Sequence, residues 1–126
     1  MSVVSYKDLI VWQKAMDLAE EVYKLSQSFP KEEVYSLTNQ IRRAVVSIAS
    51  NIAEGAGRSS RKEFGNFLSI SNGSACELIT QLEIANRVNL LNDAAFQVLK
   101  AEISEIQKMN RSLRHYVSGE LSPTRY

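Results

Sequence analysis

The sequence predicts an all-α protein, an antiparallel up-down four-helix bundle. Apolar residues recur at three-four spacing through four long segments, and no stretch keeps a period of two. Chain-stopping and capping residues separate those segments: Phe29-Pro30, then Gly55 with Gly57, then Asn92. The connections are short, which sets successive helices side by side and antiparallel. The 126 residues suit one domain, 1–126, large enough for a core without staples.

The first helix is expected from about Asp8 to Ser28. Leu9, Trp12, Met16, Ala19 and Tyr23 form one stripe, and Val11, Ala15, Leu18, Val22 and Leu25 a second beside it. Phe29-Pro30 ends it. The second helix is expected over 37–56, with Ser36 as N-cap and a core stripe of Leu37, Ile41, Ala44, Val45, Ile48 and Ile52. Gly55 and Gly57 supply its stop, one of them in the left-handed conformation.

The third helix, 61–89, opens with a capping box of Ser60 and Glu63. Asn72-Gly73-Ser74 reads locally as a turn, but helical spacing on both sides carries the helix through it. Gly73 then costs about 1 kcal/mol relative to Ala. The fourth helix, 93–118, takes Asn92 as N-cap and a seam of Phe96, Leu99, Ile103, Ile106, Met109 or Asn110, Leu113 and Val117. Lys108, Arg111, Arg114 and His115 crowd its last turns, where the helix dipole favours positive charge. Gly119 stops it, and 119–126 form a tail.

The stretch SIASNIAEGAGR, residues 47–58, carries small polar groups along an apolar helix. Gln40, Arg43, Ser47, Asn51, Glu54 and Arg58 fall on one strip. Ser47, Asn51 and Glu54 are read as a structural polar seam between helices, with a ligand or RNA site as the other reading. Val46, Ala49 and Ala53 on the second helix project away from the core direction, as do Ile70, Ile84 and Val88 on the third. Apolar residues there predict burial against another copy, a homo-oligomer.

Composition narrows the function classes. Hydrophobic residues make up 44% and charged residues 23%, which excludes disorder. No apolar run approaches the roughly 18 residues of a membrane span. MSVVSYKDL does not read as a signal peptide. Cys76 is the only cysteine, so no intramolecular disulfide forms and a reducing cytoplasm is the expected location. A net charge of +1 argues against a strongly basic nucleic-acid binder. Basic residues nonetheless cluster between Gln40 and Lys62. Arg42, Arg43, Arg58, Arg61 and Lys62 stand against Glu54 alone; Arg58, Arg61 and Lys62 form a candidate anion or nucleic-acid site at the start of the third helix, to which Arg42 and Arg43 add where they are exposed. A solvated loop is the competing reading.

Catalytic chemistry is sparse. One histidine, His115, and one cysteine rule out multi-histidine and cysteine-cluster metal sites. His115 reads as a solvated cap residue and Cys76 as a small buried hydrophobe. Glu77 and Glu83 lack the Glu-x-x-His spacing of a di-iron bundle, and Gly55 and Gly57 belong to no phosphate loop. No catalytic, cofactor or metal residue is assigned, and the chain is not expected to be an enzyme.

YKDLIVWQKAMDLAEEVY, FPKEEVYSLTNQIRRAVVSIASNIAEGAGR and EFGNFLSISNGSACELITQLEIA resemble the 23S rRNA-intervening-sequence proteins over residues 6–113. SNIAEGAGR, 50–58, is the most specific piece. The resemblance implies a helical bundle that assembles into a ring, with pentamers typical, and no established catalytic activity. Some members are encoded inside inserts in bacterial large-subunit rRNA genes. A distantly similar bundle is the accessory protein of diversity-generating retroelements, which binds reverse transcriptase and nucleic acid. Ala49 stands where many relatives have Pro, and Asn72 where a small apolar residue is usual. The expected function is that of a non-enzymatic oligomeric bundle acting as a scaffold or as an RNA binder, or alternatively a protein–protein accessory subunit without nucleic acid.

Overall fold

The computed structural model describes residues 5–33 and 36–119. Four helices account for most of them: α1 Ile10–Ser26, α2 Leu37–Ala56, α3 Arg61–Arg87 and α4 Asp93–Val117. Short 3-10 turns at Tyr6–Asp8 and Lys31–Glu33 precede α1 and α2. No strand occurs among the described residues. Partners across each seam run in opposite order along the two helices. Ser47 and Ile48 meet Ser74 and Ser71 across α2–α3. Asn72 and Asn86 meet Gln107 and Asp93 across α3–α4. The bundle is therefore antiparallel, in the cyclic order α1, α2, α3, α4, with α2–α3 the most extensive seam and α1–α4 the thinnest.

Several element ends depart from expectation for local reasons. Leu9 is extended (φ −74°, ψ 123°) and buried, so α1 begins two residues later than expected, behind a turn capped by Ser5. Ser36 (φ −127°, ψ −111°) makes no side-chain cap to α2. Neither Gly55 nor Gly57 is left-handed: Gly55 is inside α2, and Gly57 caps it at φ −82°. Among the described residues the left-handed ones are Asn89 (φ 65°) and Gly119 (φ 85°). Asn89 ends α3 at Arg87 through paired bonds, Leu90 N–H to the Ala85 carbonyl and Asn89 N–H to that of Asn86. α3 runs unbroken through Gly73, and Gly119 terminates α4. Of the expected tail, residues 120–126 lie outside the described residues.

The core takes one of the two stripes on α1. Val11, Ala15, Leu18 and Val22 are buried, whereas Met16 and Tyr23 are exposed. From the other helices come Ile41, Ile48, Ile52, Phe64, Leu68, Leu78, Leu82, Leu99, Ile103, Ile106 and Leu113. Gly55 lets α2 and α3 touch. A Cβ there would stand 2.8 Å from the Phe67 Cβ and 3.0 Å from the Phe64 ring.

A polar chain crosses this core. Ser71 Oγ donates to the Ile48 carbonyl at 2.9 Å. Asn110 Nδ2 donates to Ser71 Oγ at 3.0 Å and to Asn72 Oδ1 at 2.9 Å. Asn72 Nδ2 donates to the Gln107 carbonyl at 3.1 Å. Three helices are thereby fixed in register. Asn72, a local weakness in the sequence of α3, is a link in that chain.

The α1–α4 seam is acidic. Asp17, Glu21, Glu102 and Glu105 line a cleft of about 240 Å³ with Lys14, which pairs with Glu105. Desolvation first, then a hydrogen bond to Glu21 and repulsion from Glu21 and Glu105, push the Glu102 carboxyl up to about 7 from 4.5, against the pull of Lys14.

Two predictions follow from these seams. Gly55→Ala forces Phe67 and Phe64 to move and lowers stability by about 1–3 kcal/mol; chemical denaturation reads it, and an unchanged midpoint would show that the helices can part freely. The folded state holds the Glu102 proton to higher pH than the unfolded chain does. Its contribution is therefore present below pH 4.5 and is lost as pH rises to about 7. Glu102→Gln should accordingly melt progressively higher than wild type between pH 5 and pH 8, and a constant difference would contradict the shift.

Candidate functional site

The polar strip on α2 divides when its side chains are placed. Ser47 and Ser74 share a hydrogen bond of 2.8 Å, and Asn51 Nδ2 donates to the Ser47 carbonyl at 2.8 Å and to its Oγ at 3.0 Å. Glu54 stands outside that seam. It is exposed, and Arg58 pairs with it at 3.5 Å, one turn on. Glu54 lies beyond the α2–α3 interface because its Cβ points outward where Gly55, the next residue, closes the contact.

Above Ser47 and Ser74 the two helices part into a cleft of about 420 Å³, lined by Asn39, Gln40, Arg43, Ala44, Glu77 and Gln81 as well. Arg43 and Glu77 are exposed and make no ion pair among the described residues. Gln81 Oε1 is shut off from solvent and accepts no hydrogen bond among the described residues.

The five basic residues do not form one patch. Arg42 and Arg43 sit near the start of α2, on the order of 20 Å along the axis from Arg58 at 1.5 Å per residue. Arg42 is half-buried: its Nε donates to Ser26 Oγ at 2.8 Å, and its guanidinium lies 4.9 Å over Tyr23. Arg58 is engaged by Glu54 and stacks 4.8 Å over Phe67. Arg61 and Lys62 are exposed at the start of α3, where Ser60 Oγ caps the Glu63 N–H at 3.0 Å.

Two residues that the sequence did not assign to this site join it. A Cβ on Gly65 would lie 3.6 Å from the Arg114 side chain, so the end of α4 packs beside the start of α3. Arg61 is one turn from Gly65, and Arg111 one turn from Arg114. Arg58, Arg61, Lys62, Arg111 and Arg114 thus share one end of the bundle. The signal was available: in an antiparallel pair the close of α4 meets the opening of α3. Toward the opposite end the signs are mixed: Glu20, Glu21, Glu32, Glu33, Glu83 and Asp93 lie there with Lys24, Lys31, Arg42, Arg43 and Arg87.

The outward apolar residues fall on two faces. Arg42 reaches α1, so Val46, one turn later, and Ala53 lie on the α1 side of α2, beside exposed Met16 and Tyr23. Ile70 and Val88 share the side of α3 that carries Ser74, on the α2–α3 face, and Ile84 lies next to them. Val46, Ile70, Ile84 and Val88 are 44–56% exposed. Ala49 differs from its expected place. It is buried at 5% exposure, because α1 packs over that side of α2.

Cys76 is exposed rather than buried, because its side of α3 turns outward toward α4, where Sγ accepts a long hydrogen bond (3.4 Å) from Gln107 Nε2. His115 is exposed at the end of α4. No group of three His, Cys, Asp or Glu residues that could hold a metal ion occurs among the described residues. No described helix is long and apolar enough to cross a membrane.

Residues 7–112 match the family described as 23S rRNA-intervening sequence protein. The chain belongs to that family. Among solved structures it is similar to a protein of unknown function from the S23 ribosomal protein family of Bacteroides thetaiotaomicron, at 26% identity and a TM-score of 0.75. That likeness covers 83% of this chain and 98% of the other. No curated protein matches. The 23S rRNA-intervening sequence family thus accounts for α1 to α3 and most of α4.

Within this family member, stability should follow the buried chain rather than the exposed strip. Ser71→Ala removes a donor to Ile48 and an acceptor for Asn110, at about 1–3 kcal/mol. Glu54→Ala loses an exposed pair of about 0.5 kcal/mol or less. Thermal melting of both variants checks the order, and a larger loss at Glu54 would reverse the assignment of the structural seam.

Proposed function

We propose that this family member is a non-enzymatic, oligomeric bundle that acts as a scaffold and presents a basic rim to an RNA backbone. The observation that carries the reading is the gathering of Arg58, Arg61, Lys62, Arg111 and Arg114 at one end, whereas charges of both signs mix toward the other. A net charge of +1 gives one copy little long-range attraction. A ring repeats the cluster around its rim, and several weak phosphate contacts act together.

Two separate apolar faces support assembly. One is formed by α1 and α2, the other by α2 and α3. A two-fold dimer needs only one self-complementary face, whereas head-to-tail assembly uses two. Faces that neighbour one another around the bundle close a small ring; the number five rests on the family resemblance. The same exposed apolar residues favour a second reading, a protein–protein accessory module without nucleic acid.

Fluorescence polarisation of a labelled RNA hairpin tests the first reading. Binding should weaken with salt, each neutralised phosphate contributing about 0.7–0.9 to the slope of log affinity against log salt. Substituting Arg61, Lys62 and Arg114 with Ser should lower both affinity and slope while the oligomer stays intact. Equal binding by both proteins, or none by either at low salt, would put the protein–protein module first.

A further inference from the structure

The α2–α3 cleft contains charges that no described residue pairs with. Arg43 on α2 and Glu77 on α3 line it without an ion pair among the described residues, and Gln81 Oε1 is buried there without a donor. Exposed Ile70 lies one turn below Ser74 on the same face. The nearby outer surface of α3 carries Gly73, where a Cβ would meet nothing within 4 Å. A mid-helix glycine costs about 1 kcal/mol relative to alanine, and no contact among the described residues requires this one. The surface therefore has room for close approach by another chain.

A surface of matching character lies on α1. Glu20 and Lys24 form an ion pair of 3.5 Å between side chains that are both 75% exposed, flanked by exposed Met16 and Tyr23. The two surfaces also match in height. Arg42 touches Tyr23 and Ser26, which puts the start of α2 level with the end of α1. Ser47 meets Ser74, which puts Arg43, one turn before Ser47, level with Glu77, nearly one turn after Ser74. Rotation about a ring axis parallel to the helices brings together groups at equal height.

We infer that Glu20 and Lys24 of one copy seat in the α2–α3 cleft of the next, Glu20 against Arg43 and Lys24 against Glu77, with Met16 closing on Ile70. The occupant is a second copy because the chain carries both halves of the pattern, opposite charges beside an apolar side chain, at one level. The crossed ion pairs set the register, and the apolar contact supplies most of the attraction. This inference rests on the assembly reading above.

Charge reversal tests it. All variants are first checked for unchanged helicity and melting, which is expected since the substituted side chains lie outside the core. Light scattering across a dilution series then gives mass. Arg43→Glu should weaken association at least tenfold, Glu20→Arg likewise, and the double variant should recover most of the loss. Ile70→Asp should give a folded monomer. A wild-type mass of 14.2 kDa at micromolar concentration would overturn the assembly reading and this one with it. A wild-type oligomer indifferent to Arg43→Glu, or a double variant no better than the singles, would overturn the pairing alone. The first of these outcomes would leave the cleft to a different occupant.

Discussion

The close approach of α2 and α3 at Gly55 is the constraint on which the rest of the bundle depends. With no side chain at that position, the backbone of α2 reaches Phe64 and Phe67 directly. The gap between the helices then becomes small enough for Ser71 to reach the Ile48 carbonyl, and for Ser47 to reach Ser74. Side chains as short as serine bridge two helices only when the axes are near. α4 is fixed in turn, because Asn110 bonds to the same Ser71 hydroxyl. Removal of the glycine would therefore disturb a relay of contacts rather than one packing site.

This arrangement explains the polar groups carried by an otherwise apolar α2. A seam of leucines and isoleucines would hold the helices together but would tolerate sliding by a turn. Hydroxyls and amides that must find partners permit one register. Asn110 Oδ1, buried without a partner among the described residues, marks the price of that specificity. Glu54 and Arg58 stand just beyond the seam, where solvent carries their charges at little cost.

Helix number, order and most ends were legible because periodicity and caps are local signals. Asn92 and Ser60 cap α4 and α3 through bonds to Ala95 and Glu63, three residues on in each case. What was not legible depended on the neighbours of each residue. Trp12, Met16, Ala19 and Tyr23 have the spacing of a core stripe as good as that of Val11, Ala15, Leu18 and Val22; only the position of α2 and α4 decides between them. Ala49 looked outward on α2 until α1 covered it, and Cys76 looked buried until α3 turned that side toward solvent. The distribution of the basic residues was hidden for the same reason. Sequence proximity set Arg42 beside Arg58, whereas folding separates them and brings Arg114 to Gly65 from 49 positions away.

The division of charge along the bundle has a consequence for any cyclic assembly of it. Rotation about the ring axis never inverts a subunit, so every copy points the same way. The cationic tips of all copies then fall on one rim and the tips of mixed charge on the other. Such a particle has a front and a back. An extended polyanion would be drawn to the cationic side, and the side of mixed charge would suit a partner that recognises both signs. Two unlike molecules could thus be held on opposite sides of one disc without competing for the same surface.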